Sequence, residues 1–165
     1  AYLSSSGSYD VFFNRLDASG NYSWAKKMGS SSANASNSIG IDASGNVYSA
    51  GYFAGTADFD PGTGKYNISS AGLNDIFVSK VDASGNFVWV KQFGSTSADI
   101  ANSIEVDSVG NIYVTGYFGQ TVDFDPGAGI VNLSASAIND VFVLKLDSSG
   151  NLIWVKQLSG FSNEA

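Results

Sequence analysis

Hydrophobic and polar positions alternate along short runs, and turn signals cut those runs at regular intervals. In Phe87-Val88-Trp89-Val90-Lys91-Gln92-Phe93, one face carries Phe87, Trp89 and Phe93 with Lys91 between them; the other carries Val88 and Val90. Ile76-Phe77-Val78 and Val141-Phe142-Val143 are likewise apolar on both sides. A period of two marks a strand, and apolar residues at both parities predict a sheet covered on both faces. No segment carries a helical period. Pro61 and Pro126 both lie outside the strand-like runs.

The turns between these runs are of one kind. Asp-x-x-Gly-Asn occurs at Asp17–Asn21, Asp42–Asn46, Asp82–Asn86, Asp107–Asn111 and Asp147–Asn151. Glycine supplies a positive φ, and aspartate accepts backbone N–H groups across the turn. β-branched or aromatic runs flank each one, so each reads as a hairpin. Five hairpins predict ten strands.

The hairpins belong to a longer repeat. Asp10–Asn74 and Asp75–Asn139 carry nearly the same text without a gap, and a third copy starts at Asp140, so the period is 65 residues. Fixed self-similarity on this scale is the signature of stacked supersecondary units. Naming the hairpin Ser103–Phe118 strands A and B, and Ile76–Phe93 strands C and D, gives four-stranded units A-B-C-D. Small sheets covered on both faces by copies of themselves are propeller blades. The expected fold is all-β: residues 1–35 are the C–D half of a blade, 36–100 one blade and 101–165 another. Residues 1–9 align with Asn67–Asn74, and Leu158–Ala165 with Phe93–Ile100. Both ends thus fall inside the pattern, which points to a piece of a longer array or to copies that assemble, since closed propellers need roughly four to eight blades.

In an antiparallel meander, successive connections alternate between the two ends of the strands. All Asp-x-x-Gly-Asn turns therefore share one surface. The B–C insertions (TADFDPGTGKYN, TVDFDPGAGIVN) and the D–A loops (SSSANASN, STSADIAN) share the other, and long loops are where function concentrates.

Composition narrows the function classes. A net charge of −7 from 8 basic and 15 acidic residues leaves no basic footprint for nucleic acid or for an anionic membrane. There is no cysteine and no histidine, which removes disulfides, thiolate nucleophiles, the usual general base and the usual transition-metal ligands. No apolar run approaches the ~18 residues of a membrane span.

The pattern D-x-F-x-x-K-x-D-x-x-G-N-x-x-W, then N-S-I-x-x-D-x-x-G-N-x-Y-x-x-G-Y, resembles the bacterial β-propeller repeat family. The DFDPG insertion resembles the version found in exported multi-repeat proteins of Bacteroidetes-type bacteria. The resemblance runs over essentially the whole chain. It implies a secreted or cell-surface protein, commonly exported by the type IX route, with a fold and an address more than an established activity.

Candidate chemistry lies on the loop-rich side. Asp58 and Asp60, repeated as Asp123 and Asp125, put two carboxylates on one side of an extended segment while Phe59 or Phe124 points inward. With carbonyls from the Pro-Gly turn, that is an oxygen donor set suited to calcium; turn capping is the alternative. The same pair could suggest a glycosidase, but it repeats unchanged, whereas an active site is a single asymmetric constellation, so no enzyme is expected. Tyr52-Phe53 and Tyr117-Phe118 end strand B nearest the loops and are the candidate stacking platforms for a glycan. Trp24, Trp89 and Trp154 recur at one position of strand D and read as blade-to-blade packing, beside Lys26, Lys91 and Lys156, whose stems cover apolar surface. The expected function is a surface scaffold or adhesin presenting repeated loops to proteins or glycans. A lectin-like module is the alternative. Expected partners are further blades or subunits.

Overall fold

The computed structural model describes residues 2–159, so the expectations for Ala1 and for residues 160–165 lie outside it. Fourteen strands and no helix occur among the described residues. One sheet has the order β3-β4-β7-β8, formed by Asn34–Ile41, Val47–Phe53, Asp75–Val81 and Phe87–Phe93. A second has the order β9-β10-β13-β14, formed by Ile100–Val106, Ile112–Phe118, Asp140–Leu146 and Leu152–Leu158. Both are antiparallel meanders. Ahead of them β1 (Val11–Leu16) pairs with β2 (Tyr22–Met28) alone. The four strands beyond the expected ten are short hairpins inside the B–C insertions: β5 (Thr56–Asp58) with β6 (Asn67–Ser69), and β11 (Thr121–Asp123) with β12 (Asn132–Ser134). Three-residue strands bounded by Pro and Gly carry too little alternation to announce themselves.

The core lies between the sheets. Tyr48, Ala50, Ile76 and Val78 of the first blade meet Ile104, Ile112, Val114 and Leu144 of the second. From the other face of the first blade, Phe53, Phe77 and Val90 meet Val11, Phe13 and Met28 of the β1-β2 hairpin. Ile76 and Val78 thus point one way and Phe77 the other, which is the double-sided burial that the apolar parities predict. In β13 of the second blade the pattern relaxes. Phe142, Leu144 and Leu146 are buried, whereas Val141, Val143 and Lys145 on the open face are half-buried. One expectation is corrected: Val88 is exposed, because β8 is the outermost strand of its sheet and lies beyond full cover by the neighbouring hairpin.

The five turns are built alike. At Asp82, one carboxylate oxygen accepts the N–H groups of Ser84 and Asn86, both at 2.8 Å, and the other accepts the Asn86 side-chain amide at 2.9 Å. Gly85 closes the turn at φ 78°. The hydrogen bonds hold these carboxyls below the ordinary carboxylate range, from the Asn21 side-chain amide first at Asp17 and from the Asn86 backbone first at Asp82. At Asp42 and Asp147 burial pulls upward, and the bonds from Asn46 and Asn151 outweigh it.

These turns also join the blades. The C–D turn of each blade sits on the D strand of the one before. A Cβ on Gly85 would lie 3.1 Å from the Lys26 stem and 3.2 Å from the Trp24 ring, and one on Gly150 would lie 2.8 Å from Lys91 and 3.3 Å from Trp89. Arg15 donates a hydrogen bond to the Ala83 carbonyl, and Lys80, one repeat later, donates to Ser148 at 3.3 Å. Trp24, Lys26, Trp89 and Lys91 are therefore inter-blade packing groups.

Candidate binding surface

The B–C insertions and D–A loops gather at the end of the blades opposite the Asp-x-x-Gly-Asn turns. Buried carboxylates at the head of each C strand anchor this end. Asp10, Asp75 and Asp140 each accept the backbone N–H four residues earlier, from Ser6, Ala71 and Ser136. Each also meets a D-strand side chain: Lys27 as an ion pair at 3.5 Å, then Gln92 and Gln157 through their amides. At the start of the second A strand, Asp99 accepts Ser95 N–H and O–H with one oxygen and Gly119 N–H with the other. Burial pushes Asp75 and Asp99 up despite these bonds, and Asp75 further raises Asp99. Asp140, in the blade with an open face, ends below the ordinary value because its bonds from Ser136 and Gln157 outweigh burial.

The DFDPG segments are loop frames. Asp58 accepts the N–H groups of Asp60 at 3.0 Å and Tyr66 at 2.9 Å on one oxygen, and Asp60 accepts Gly62 N–H at 2.7 Å. The second copy repeats this, with Asp123 holding Asp125 and Val131 and with Asp125 holding Gly127. Two carboxylates per loop with at most one oxygen each to spare fall short of the roughly six to eight oxygens calcium takes. Among the described residues no group of three or more acidic, His or Cys side chains could hold a metal ion. Turn capping accounts for the hydrogen bonds that these carboxylates make.

The residue between the carboxylates does the packing. Phe124 is buried, with ring centroids 5.4 Å from Phe118, 5.1 Å from Phe142 and 5.8 Å from Phe93. Phe59 meets Phe53 at 5.4 Å and Phe77 at 4.9 Å. Phe53 and Phe118 therefore sit in the core, not on the surface, because the insertion folds back and delivers a ring onto them. Of the four candidate platforms only Tyr52 and Tyr117 keep partial exposure.

Sequence reasoning passed over several exposed apolar positions at this end. Leu73 and Ile138 stand one repeat apart, 67% and 74% exposed, immediately before the strand that Asp75 or Asp140 anchors. Tyr66 and Ile130 at the insertion tips are exposed as well. The signal was a single apolar residue recurring in register within Ser-Ala-Gly-Asn text. Frames repeat while tips vary: Lys65 and Tyr66 in one loop become Ile130 and Val131 in the next.

Comparison with known proteins bears on this geometry. The family model described as "Beta-propeller repeat" matches residues 88–117, a span running from strand D of one blade to strand B of the next. Fold and sequence agree. The chain is built of β-propeller-type repeats. An uncharacterized WD repeat-containing protein of Acanthamoeba polyphaga mimivirus is 27% identical over 173 residues, covering 98% of this chain. The chain spans 12% of that protein's length.

Proposed function

We propose that the repeats form a secreted or surface-displayed binding scaffold, in which stacked blades hold loop pairs at one end and present their apolar tips to a macromolecular partner. The observation that carries this reading is the recurrence of Leu73 and Ile138, exposed at the same repeat position beside rigidly anchored backbone. Isolated exposed apolar residues are ordinary; here Leu73 and Ile138 recur in register on one surface, and that recurrence supports reading them as a shared contact surface. Two sites on one rigid frame gain avidity without new contacts. The acidic, sparsely charged composition and the resemblance to exported repeat proteins support an extracellular setting, and the repeated rather than unique acid pairs support a non-enzymatic role.

The test is a binding screen of the labelled chain against arrays of surface proteins and glycans, in parallel with the double variant Leu73→Asp, Ile138→Asp. The expected result is a target whose binding falls about tenfold or more in the double variant, with the melting temperature unchanged. Glycan binding that survives the double variant and disappears with Tyr117→Ala would assign the lectin reading instead. Cleavage of a bound glycan would overturn both.

A further inference from the structure

Two copies of one joint carry different hydrogen bonds. Each joint sets the aspartate that heads a C strand beside the residue that opens the next A strand: Asp10 beside Asn34 and, one repeat on, Asp75 beside Asp99. The backbone is alike in both. Asn34 donates its N–H to the Tyr9 carbonyl at 3.0 Å, and Asp99 donates to the Asn74 carbonyl at 2.8 Å. The D–A loop brings the same residue to both, Ser30 and then Ser95.

That serine turns two ways. At the first joint Ser30 N–H goes to Asp10 Oδ1 at 3.2 Å, and Asn34 Nδ2 donates to Ser30 Oγ at 3.1 Å. At the second, Ser95 gives both its N–H and its O–H to one oxygen of Asp99, at 2.7 and 2.9 Å. Asp75 Oδ1 is left buried without a partner. The root of the B–C insertion differs in step. Ala54 N–H reaches the Ala33 carbonyl at 3.1 Å, whereas Gly119 N–H is taken by the other Asp99 oxygen at 2.9 Å. The cause is chemical: the Asn34 amide donates to its serine, and a carboxylate at Asp99 can only accept.

No cation offsets the second pair. Among the groups around it, β7 contributes Asp75 itself, β8 the neutral Gln92, the 95–98 loop Ser95, and the end of β10 Gly119. The ion pair of Lys27 with Asp10 belongs to the first joint. Burial first, and then the Asp75 charge, push Asp99 above the ordinary carboxylate range.

We propose that Asp99 is an acid-responsive switch, which on taking up one proton gives the second joint the hydrogen bonds that Asn34 gives the first. The Asp99 O–H then donates to Ser95 Oγ, as Asn34 Nδ2 does to Ser30. Ser95 N–H turns to the free oxygen of Asp75, and Gly119 N–H turns to the Ala98 carbonyl. Both arrangements stand in one chain, so each is compatible with the backbone that the repeats share. Gly119 opens the insertion that carries Ile130, so the proton resets the root of that loop. The switch does not depend on the loop-end binding reading.

The experiment follows the backbone amides of the full chain by two-dimensional NMR from about pH 7 to about pH 4.5, above the ordinary carboxylate range. The expected result is that the Ser95 and Gly119 resonances shift together with one midpoint, while Ser30 and Ala54 stay still. In Asp99→Asn the same two amides are expected to lie at neutral pH where the wild type's lie in acid, and to move no further. Asn34→Asp is expected to make Ser30 and Ala54 titrate in their turn. Ser95 and Gly119 amides that stay still while the Asp99 carboxyl titrates would overturn the proposal. Movement that survives Asp99→Asn and disappears in Asp75→Asn would also overturn it, because Asp75 would then be the group that takes the proton.

Discussion

The indole of Trp24 donates a hydrogen bond of 3.3 Å to the carbonyl of Ala83, across the gap between two successive C–D hairpins. The same ring lies under Gly85, so one side chain fixes both the height and the tilt of the next turn. Trp89 occupies the same place beneath Gly150, and its ring meets Tyr48 edge-on at 6.1 Å. Trp154 has no turn above it among the described residues and is 36% exposed. Replacement by Ala is expected to cost about 2 kcal/mol or more at Trp24 and Trp89, from lost packing, and under about 1 kcal/mol at Trp154. Urea unfolding of the three variants measures the gradient; equal losses would mean that the tryptophans serve their own blades rather than the joints.

Gly20 and Gly85 separate backbone strain from packing. Both have φ near 80°, but nothing stands within 4 Å of a Cβ on Gly20, whereas Gly85 faces Trp24 and Lys26. Gly20→Ala is expected to cost about 1 kcal/mol, the price of a left-handed backbone for a residue with a side chain. Gly85→Ala is expected to cost clearly more, since the neighbouring ring must shift. Thermal unfolding of both variants provides the comparison.

Two sets of aspartates give opposite pH dependences. The turn aspartates, including Asp82, titrate below the ordinary 3.8, so their stabilisation is present above that value and is lost as pH falls through the folded values. Asp75 and Asp99 titrate above it, so the fold loses stability as pH rises from 3.8 through their folded values. Asp75→Asn, which also replaces a buried oxygen lacking a partner, is expected to gain on the wild type as pH rises from about 4 toward 7. Asp82→Asn is expected to be less stable than the wild type throughout that interval, and the deficit is expected to shrink as pH falls below 3.8. Denaturant midpoints at a series of pH values check both signs.

The DFDPG segment is expected to act through its ring and its turn. Phe124→Ala should cost about 3–5 kcal/mol, as for a buried Phe packed among three others. Millimolar chelator should leave the melting temperature unchanged, because the carboxylates already hold backbone N–H groups. A fall of several degrees on chelation would restore the calcium reading.

The repeat, the blade order and the ten principal strands were legible because every hairpin carries its own Asp-x-x-Gly-Asn signature and because apolar residues at both parities are rare outside doubly covered sheets. The short strands β5, β6, β11 and β12 were not, since three residues define no period. Phe53 was misplaced for a different reason. Alternation says that it faces one side of its sheet, but only the fold shows that Phe59 returns from the insertion to cover it. Leu73 and Ile138 were overlooked because a lone apolar residue in a polar loop has no local signature; only their recurrence marks them.

Native-state hydrogen exchange on the full chain most directly tests a stack in which each blade is covered by its neighbours. The account predicts the slowest amides in β4 and β7, whose residues are buried from both sides, intermediate protection in β13, and rapid exchange along the unpaired edge of β1. Amides of β1 as slow as those of β7, or protection centred on the insertion hairpins, would contradict it.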